Sequence, residues 1–174
     1  MVNRLEYAFR KKTIIEIHEY HDGNYGARGK KRMKKKKPTE EQMRLVNANN
    51  KARKCRHKLL EYYSPGDCFG TWTYSMGNRP HDMAASLDDF QKAIRKVRKE
   101  YRKRGYELFW IRNIERGTKG AWHIHFVVNE IGDTASIMQK AWTKGGTYSV
   151  EIRNDPKLYD EDFTKLAAYM TKDE

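Results

Sequence analysis

The sequence predicts an α+β fold on the strength of three observations. Aromatic and threonine residues alternate over Phe69–Tyr74, which indicates a strand. A helical pattern of apolar residues follows over residues 90–101. Two further apolar segments are separated by a loop with two glycines, which is typical of a hairpin. Because the elements from Phe69 onward run β-α-β-β-α-β-α, we expect a ferredoxin-like/RRM-like antiparallel sheet of about five strands with helices packed on one face.

Residues 1–66 are predicted to form a basic N-terminal arm and one helix. The β-branched segment Thr13–Ile17 favours a strand, and several glycines then lead into a run of lysines and arginines, which indicates a loop or arm. Thr39 and Gln42 have the spacing of a capping box, so a helix should begin there and run to about Tyr63. The Ser-Pro-Gly-Asp turn signal that follows ends this helix.

Residues 67–174 are predicted to form the core that carries the chemistry. The first helix of the core has four apolar residues at helical spacing and basic residues on its other face. These apolar residues are Phe90, Ile94, Val97 and Tyr101. Further strands are predicted at Leu108–Glu115, Trp122–Asn129 and Thr147–Arg153, and further helices at Thr134–Trp142 and from Asp162 to the chain end.

The charge of the chain points to a polyanionic partner. The 174 residues include 36 Lys+Arg and 23 Asp+Glu, a net charge of +13, and residues 1–60 alone carry 18 basic and 6 acidic residues. Each cation that neutralises a phosphate releases a counterion, so the basic run over residues 28–37 is expected to hold DNA. The alternative is a solvated tail that contacts nothing specific. The DNA-binding candidates in the run are Lys30, Lys31, Arg32, Lys34, Lys35, Lys36 and Lys37.

Composition excludes the membrane and secreted classes. No apolar run approaches the ~18 residues that a membrane span needs, and the first ten residues lack a signal-peptide core. Two cysteines cannot build a disulfide framework, and Cys55, His57 and Cys68 have neither the number nor the spacing of a zinc site. We therefore expect an intracellular protein with no membrane partner, cytoplasmic in a bacterial host or nuclear in a eukaryote.

Two histidines on one strand form a candidate metal site. Side chains alternate along a strand, so His123 and His125 share one face while the apolar residues between and around them share the other. A hairpin after Glu115 would bring its carboxylate beside His123. Two imidazoles and a carboxylate with open positions suit Mn²⁺ or Mg²⁺, which would polarise a phosphate oxygen. The alternative is a pair of partly exposed histidines that bind no metal.

The last helix supplies a candidate nucleophile, Tyr169. Lys165 and Lys172 lie one turn away on either side, and this pattern favours a phenolate and thus a nucleophilic tyrosine. The alternative is an ordinary tyrosine packed at the edge of the core. In the strand at Phe69–Tyr74, Thr71 and Thr73 lie on one face beside aromatic rings, a pattern that suits contacts to single-stranded DNA but equally describes a generic strand.

Taken in this order, the aromatic and threonine-rich strand, His123-Ile124-His125 and Tyr169-Met-Thr-Lys172 resemble the HUH superfamily of single-strand DNA endonucleases. The similarity is to rolling-circle replication initiators of the Rep type with a single catalytic tyrosine, and it covers about residues 69–172. Glu115 stands where the family places an acidic third ligand. Trp72 departs from the pattern, because a smaller aliphatic residue is expected between the two threonines.

The resemblance implies a metal-dependent nickase core over residues 67–174. Tyr169 would attack a scissile phosphate in single-stranded DNA, such as an origin hairpin, and become linked to the 5′-phosphate, leaving a free 3′-OH. The metal, Mn²⁺ or Mg²⁺, would be held by Glu115, His123 and His125. Lys172 would neutralise charge near the nucleophile, and Lys165 would make a weaker contact of the same kind.

Three other interpretations remain open at this point. A relaxase and a single-strand transposase share the same chemistry. A non-catalytic binder of single-stranded nucleic acid would instead stack bases on Phe69, Trp72 and Trp110. Because the chain lacks an ATPase loop of the Gly-x-x-x-x-Gly-Lys-Ser/Thr type, a host helicase, or one in cis outside this chain, is a candidate partner.

Overall fold

The computed structural model describes residues 2–9, 14–21, 36–118 and 120–172, and of His21 only the backbone. Within these ranges the chain has the predicted α+β class, with four helices, two short 3₁₀ turns and two antiparallel sheets. The strands are β1 (Val2–Ala8), β2 (Ile15–His21), β3 (Cys68–Thr73), β4 (Trp110–Arg116), β5 (Trp122–Val128) and β6 (Thr147–Glu151). The helices are α1 (Glu40–Tyr62), α2 (Met83–Lys103), α3 (Thr134–Ala141) and α4 (Thr164–Thr171).

The main sheet has four strands in the order β4-β5-β3-β6, and every neighbouring pair is antiparallel. This order places the first and third strands of the core side by side in the centre, as expected for a ferredoxin-like sheet. The expected count of about five strands is not met. The segment predicted as a strand at Thr13–Ile17 contributes to β2, which pairs with β1 in a separate hairpin because that neighbour is closest along the chain.

Helices cover both faces of the main sheet, so the expectation of helices on one face only is wrong. On one face, α2 and α3 pack against Trp72, Ile124 and Phe126. On the other face, α1 and α4 pack against Phe69 and Val127. The reason is that β3 and β5 bury apolar side chains in both directions, and the second set also has to be removed from water.

The capping box predicted at the start of α1 is confirmed. Gln42 donates its backbone N–H to the Thr39 hydroxyl over 3.2 Å, and Thr39 donates its own N–H to the Gln42 side chain over 2.9 Å. The C-terminal half of α1 then packs against α4 through Leu59. Arg56 on the same half bonds Glu16 of β2 and Asp162 just before α4, which attaches the small hairpin to the larger body.

The boundary that the sequence predicts between residues 66 and 67 remains a prediction, since α1 shares its core with elements on the other side of that boundary. Within the described ranges no helix combines the length and the apolar character that crossing a bilayer requires.

Candidate active site

The register of the main sheet places polar residues around the two histidines of β5. Side chains directly opposite each other in an antiparallel pair lie on the same face. His125 is opposite Thr71 of β3 on one side and Asn113 of β4 on the other. His123 is opposite Glu115 of β4 in the same way. The polar face of β5 is therefore flanked by polar residues from both neighbouring strands.

Glu115, His123 and His125 lie close enough together to hold one cation. One ligand atom from each residue lies within 4.8 Å of the others. His125 Nε2 lies 2.8 Å from a carboxylate oxygen of Glu115, and the rings of the two histidines are 6.2 Å apart. The turn over residues 117–121 makes this possible, because it reverses the chain with Gly120 at a positive φ of 76° and returns β5 alongside β4.

The chemistry of these donors fits a divalent cation. His125 is only 5% exposed, and burial lowers the pKa of its imidazole, against the opposing effect of the Glu115 carboxylate. The ring is therefore neutral near pH 7, as a metal ligand must be. Its second nitrogen, Nδ1, lies 2.9 Å from the Thr71 hydroxyl, which fixes the ring orientation. Two nitrogen donors and one carboxylate suit Mn²⁺ or Mg²⁺.

Tyr169 of α4 lies beside this cluster. Its hydroxyl is 3.4 Å from Nε2 and 3.5 Å from Nδ1 of His125, and its ring meets the edges of the His125 and Phe69 rings. The side chain is 36% exposed, so the hydroxyl borders both the cluster and solvent. The structure thus brings together the predicted ligands and the predicted nucleophile from three separate segments of the chain.

The expected effect of the lysines on Tyr169 is wrong. The pKa of the tyrosine is raised, first because burial disfavours its charged form and then because of the carboxylates of Glu115 and Asp155. Lys165 turns its ammonium group towards the carbonyl oxygens of the segment before α4, at 3.3 and 3.4 Å. Lys172 is exposed at the C-cap of α4, and its carbonyl accepts a hydrogen bond from Asn113.

The residues predicted to contact DNA occupy different environments. The hydroxyl of Thr71 bonds His125, and that of Thr73 donates to the Gly146 carbonyl over 3.4 Å. Lys36 and Lys37 are exposed in the segment before α1. The other basic candidates, Lys30, Lys31, Arg32, Lys34 and Lys35, lie outside the described residues.

The stacking platforms proposed for a non-catalytic binder are not accessible. Phe69 is 4% exposed and Trp72 is fully buried, while Trp110 is partly buried against the core. Each of these rings is used to pack a helix onto the sheet, which leaves no face for a nucleic-acid base. An exposed aromatic residue does lie on the same face as the histidines. It is Tyr148 of β6, 54% exposed and directly opposite Thr71.

Sequence reasoning missed the bond from Thr71 to His125, the position of Asn113 and the exposure of Tyr148. Strand alternation alone would have placed Asn113 on the same face as Glu115, two residues along β4. The other two depend on how β3 pairs with β5 and with β6, for which the sequence offers no local signal.

The fold and the site define an α+β protein with a candidate metal centre and an adjacent tyrosine on one face of an antiparallel sheet. The model of the replication-associated protein family described by the name ORF2 matches residues 67–174, more than half of the chain, and the chain belongs to this family. The family indicates a role in replication initiation and an interaction with DNA. No curated protein and no solved structure matches the chain.

Proposed function

We propose that the chain nicks and rejoins single-stranded DNA through a 5′-phosphotyrosine intermediate and thereby initiates rolling-circle replication. The observation that carries this proposal is the position of the Tyr169 hydroxyl, within 3.5 Å of a histidine that belongs to the Glu115–His123–His125 cluster. A nucleophile and a set of metal ligands at one site are the two components that phosphoryl transfer to a side chain requires.

In this proposal Tyr169 Oη forms a bond to phosphorus as the bond from phosphorus to the 3′ oxygen breaks. The phenol loses its proton and the leaving 3′ oxygen gains one, so the products are a tyrosine linked to the 5′-phosphate and a free 3′-OH. One phosphoester replaces another, so a returning 3′-OH can reverse the step and reseal the strand.

The chain's own residues hold the components in place. Glu115, His123 and His125 would hold a divalent cation, which when bound supplies charge that polarises a phosphate oxygen. Thr71 and Glu115 fix the ring of His125 from its two nitrogens. Because the pKa of Tyr169 is raised, the phenol stays protonated at neutral pH until substrate and cation occupy the site.

Contacts to the DNA strand are assigned to residues around this centre. Lys172 is exposed one turn beyond Tyr169 and would neutralise a nearby phosphate, with Lys165 and Thr73 as weaker contacts. Tyr148 would stack a base on the open face of β6, since aromatic rings are the usual platforms for single strands. The basic arm, of which Lys36 and Lys37 are described, would add contacts that do not depend on base sequence.

The test is to incubate the chain and Mn²⁺ with a single-stranded hairpin oligonucleotide bearing an origin sequence from a replicon that encodes the chain. We expect a covalent protein–DNA band that disappears with Tyr169→Phe or with a chelator. Tyr106→Phe is the matched control, because Tyr106 is 51% exposed and lies outside the cluster, so this variant should form the band normally. If wild type binds the oligonucleotide but forms no adduct, the chain is a binder and the proposal fails.

A further inference from the structure

The exposed side of α2 concentrates positive charge that the average composition hides. Residues 92–104 contain eight Lys/Arg and one acidic residue, a net charge of +7, whereas the rest of residues 61–174 carries ten Lys/Arg and sixteen Asp/Glu. The basic residues are Lys92, Arg95, Lys96, Arg98, Lys99, Arg102, Lys103 and Arg104. The core is therefore near neutral only as a sum, and its positive charge is gathered on one helix.

Most of this charge is not neutralised within the part of the protein that the structure describes. There, carboxylates pair only with the two ends of the series, namely Lys92 at the start and Lys103 and Arg104 at the end. The five cations between them have no carboxylate partner among the described residues, and neither does Lys140 of the adjacent α3. Closely spaced like charges repel each other, so an unpaired series of this kind is stabilised by an anionic ligand.

This basic face lies on the opposite side of the sheet from Tyr169. Ile94 and Val97 of α2 are buried against the same sheet face as Ile124 and Phe126, which points away from His125. The basic side chains project outward from that helical layer. A groove of about 450 Å³ runs between α2 and α3, with lysines 96, 99 and 140 on its walls. A strand held at Tyr169 is thus separated from this face by the sheet and a layer of helices.

We propose that the basic face of α2 and α3 binds the phosphate backbone of double-stranded DNA. Arg95, Lys99 and Arg102 recur at i, i+4 and i+7, so they form a row of about 10 Å along a rigid helix. No aromatic side chain of α2 or α3, both fully described, is exposed. Single-strand binding relies on aromatic stacking, whereas duplex backbone binding relies on cations alone, so the face fits a duplex.

The inference extends the proposed function without depending on its chemistry. The duplex that flanks a nicking site could be held on this face while the single strand occupies the opposite one. Duplex binding by α2 and α3 would be measurable even if Tyr169 formed no adduct, so the two proposals can fail separately.

The test compares two triple variants that remove the same charge. Lys96→Gln/Lys99→Gln/Arg102→Gln acts on the basic face and keeps good helix formers. The control, Arg79→Gln/Arg153→Gln/Lys157→Gln, removes three exposed cations elsewhere. Binding of a fluorescent duplex of about 20 base pairs is measured by anisotropy from about 50 to 200 mM salt. Because each phosphate contact contributes about 0.9 to the salt slope, the first variant should lose about 2 to 3 from that slope and the control should keep it.

Three outcomes would overturn the proposal. An unchanged duplex slope in the first variant would leave the face to an acidic protein rather than DNA. An equal loss in the control would mean that net charge alone governs binding. An equal loss with a single-stranded oligonucleotide would assign the face to the single strand. Circular dichroism of both variants establishes that each is folded before the slopes are compared.

Discussion

Replacing Thr71 with valine should weaken divalent-metal binding while leaving the fold intact. In the structure the Glu115 carboxylate can only accept, so His125 donates from Nε2 and the Thr71 hydroxyl donates to Nδ1 over 2.9 Å. A cation at the cluster needs the Nε2 lone pair, so the imidazole proton must then lie on Nδ1. Thr71 can accept that proton because a hydroxyl serves as donor or acceptor, whereas a valine of nearly the same size can do neither.

The magnitude follows from the burial of His125. The residue is 5% exposed, so water has little access to an Nδ1 that loses its partner. A buried polar group without a partner costs about 1–3 kcal/mol. Loss of a group that orients a metal ligand typically weakens metal affinity about 10–100-fold, which corresponds to about 1.4–2.7 kcal/mol. The two estimates agree, so we expect Thr71→Val to weaken Mn²⁺ binding by about one to two orders of magnitude.

The assay is a Mn²⁺ titration followed by electron paramagnetic resonance of the free ion, which needs neither DNA nor turnover. Thr73→Val is the matched control, because Thr73 lies two residues along the same strand and its hydroxyl bonds only the Gly146 carbonyl. The control should bind Mn²⁺ as wild type does. Equal Mn²⁺ affinity in wild type and Thr71→Val would refute the assigned role of this hydroxyl, and equal losses in both variants would point to general damage to β3.

Two further substitutions test the surroundings of the site. Tyr148→Ala should weaken single-strand binding by about 1–3 kcal/mol in an anisotropy titration, since one stacking platform is removed from an exposed position. Unchanged affinity would exclude this platform. Gly145→Ala should destabilise the fold by more than about 2 kcal/mol in urea denaturation, because its Cβ would lie 2.2 Å from the Thr73 backbone oxygen. Gly66→Ala meets open space and should leave the midpoint nearly unchanged, so equal midpoints for the two alanine variants would contradict the argument.

The parts of the site that sequence predicts are those set by local geometry. The alternation of side chains along one strand places His123 and His125 on one face, and a short turn returns Glu115 to the same place. These relations span about ten residues and need no knowledge of distant pairing. The order of elements in the core and the capping box of α1 are predictable for the same reason.

The parts that sequence does not predict depend on non-local packing. The bond from Thr71 to His125 exists only because β3 pairs with β5 in one register, across more than fifty residues. The raised pKa of Tyr169 comes from burial and from carboxylates on other elements, not from the lysines of its own helix. Coverage of both sheet faces depends on α1, which the sequence pattern alone assigned to a separate region.

The position of Tyr169 is itself a consequence of core packing. Leu166, Ala167 and Met170 of α4 are buried in the same cluster as Phe69 and Val127, which fixes the rotation of the helix about its axis. Successive residues of a helix are rotated by about 100°, so a shift of one residue in this apolar stripe would carry the tyrosine away from His125. The small hydrophobic layer between α1, α4 and the sheet therefore does more than stabilise the fold, because it sets the distance between the candidate nucleophile and the candidate metal ligands.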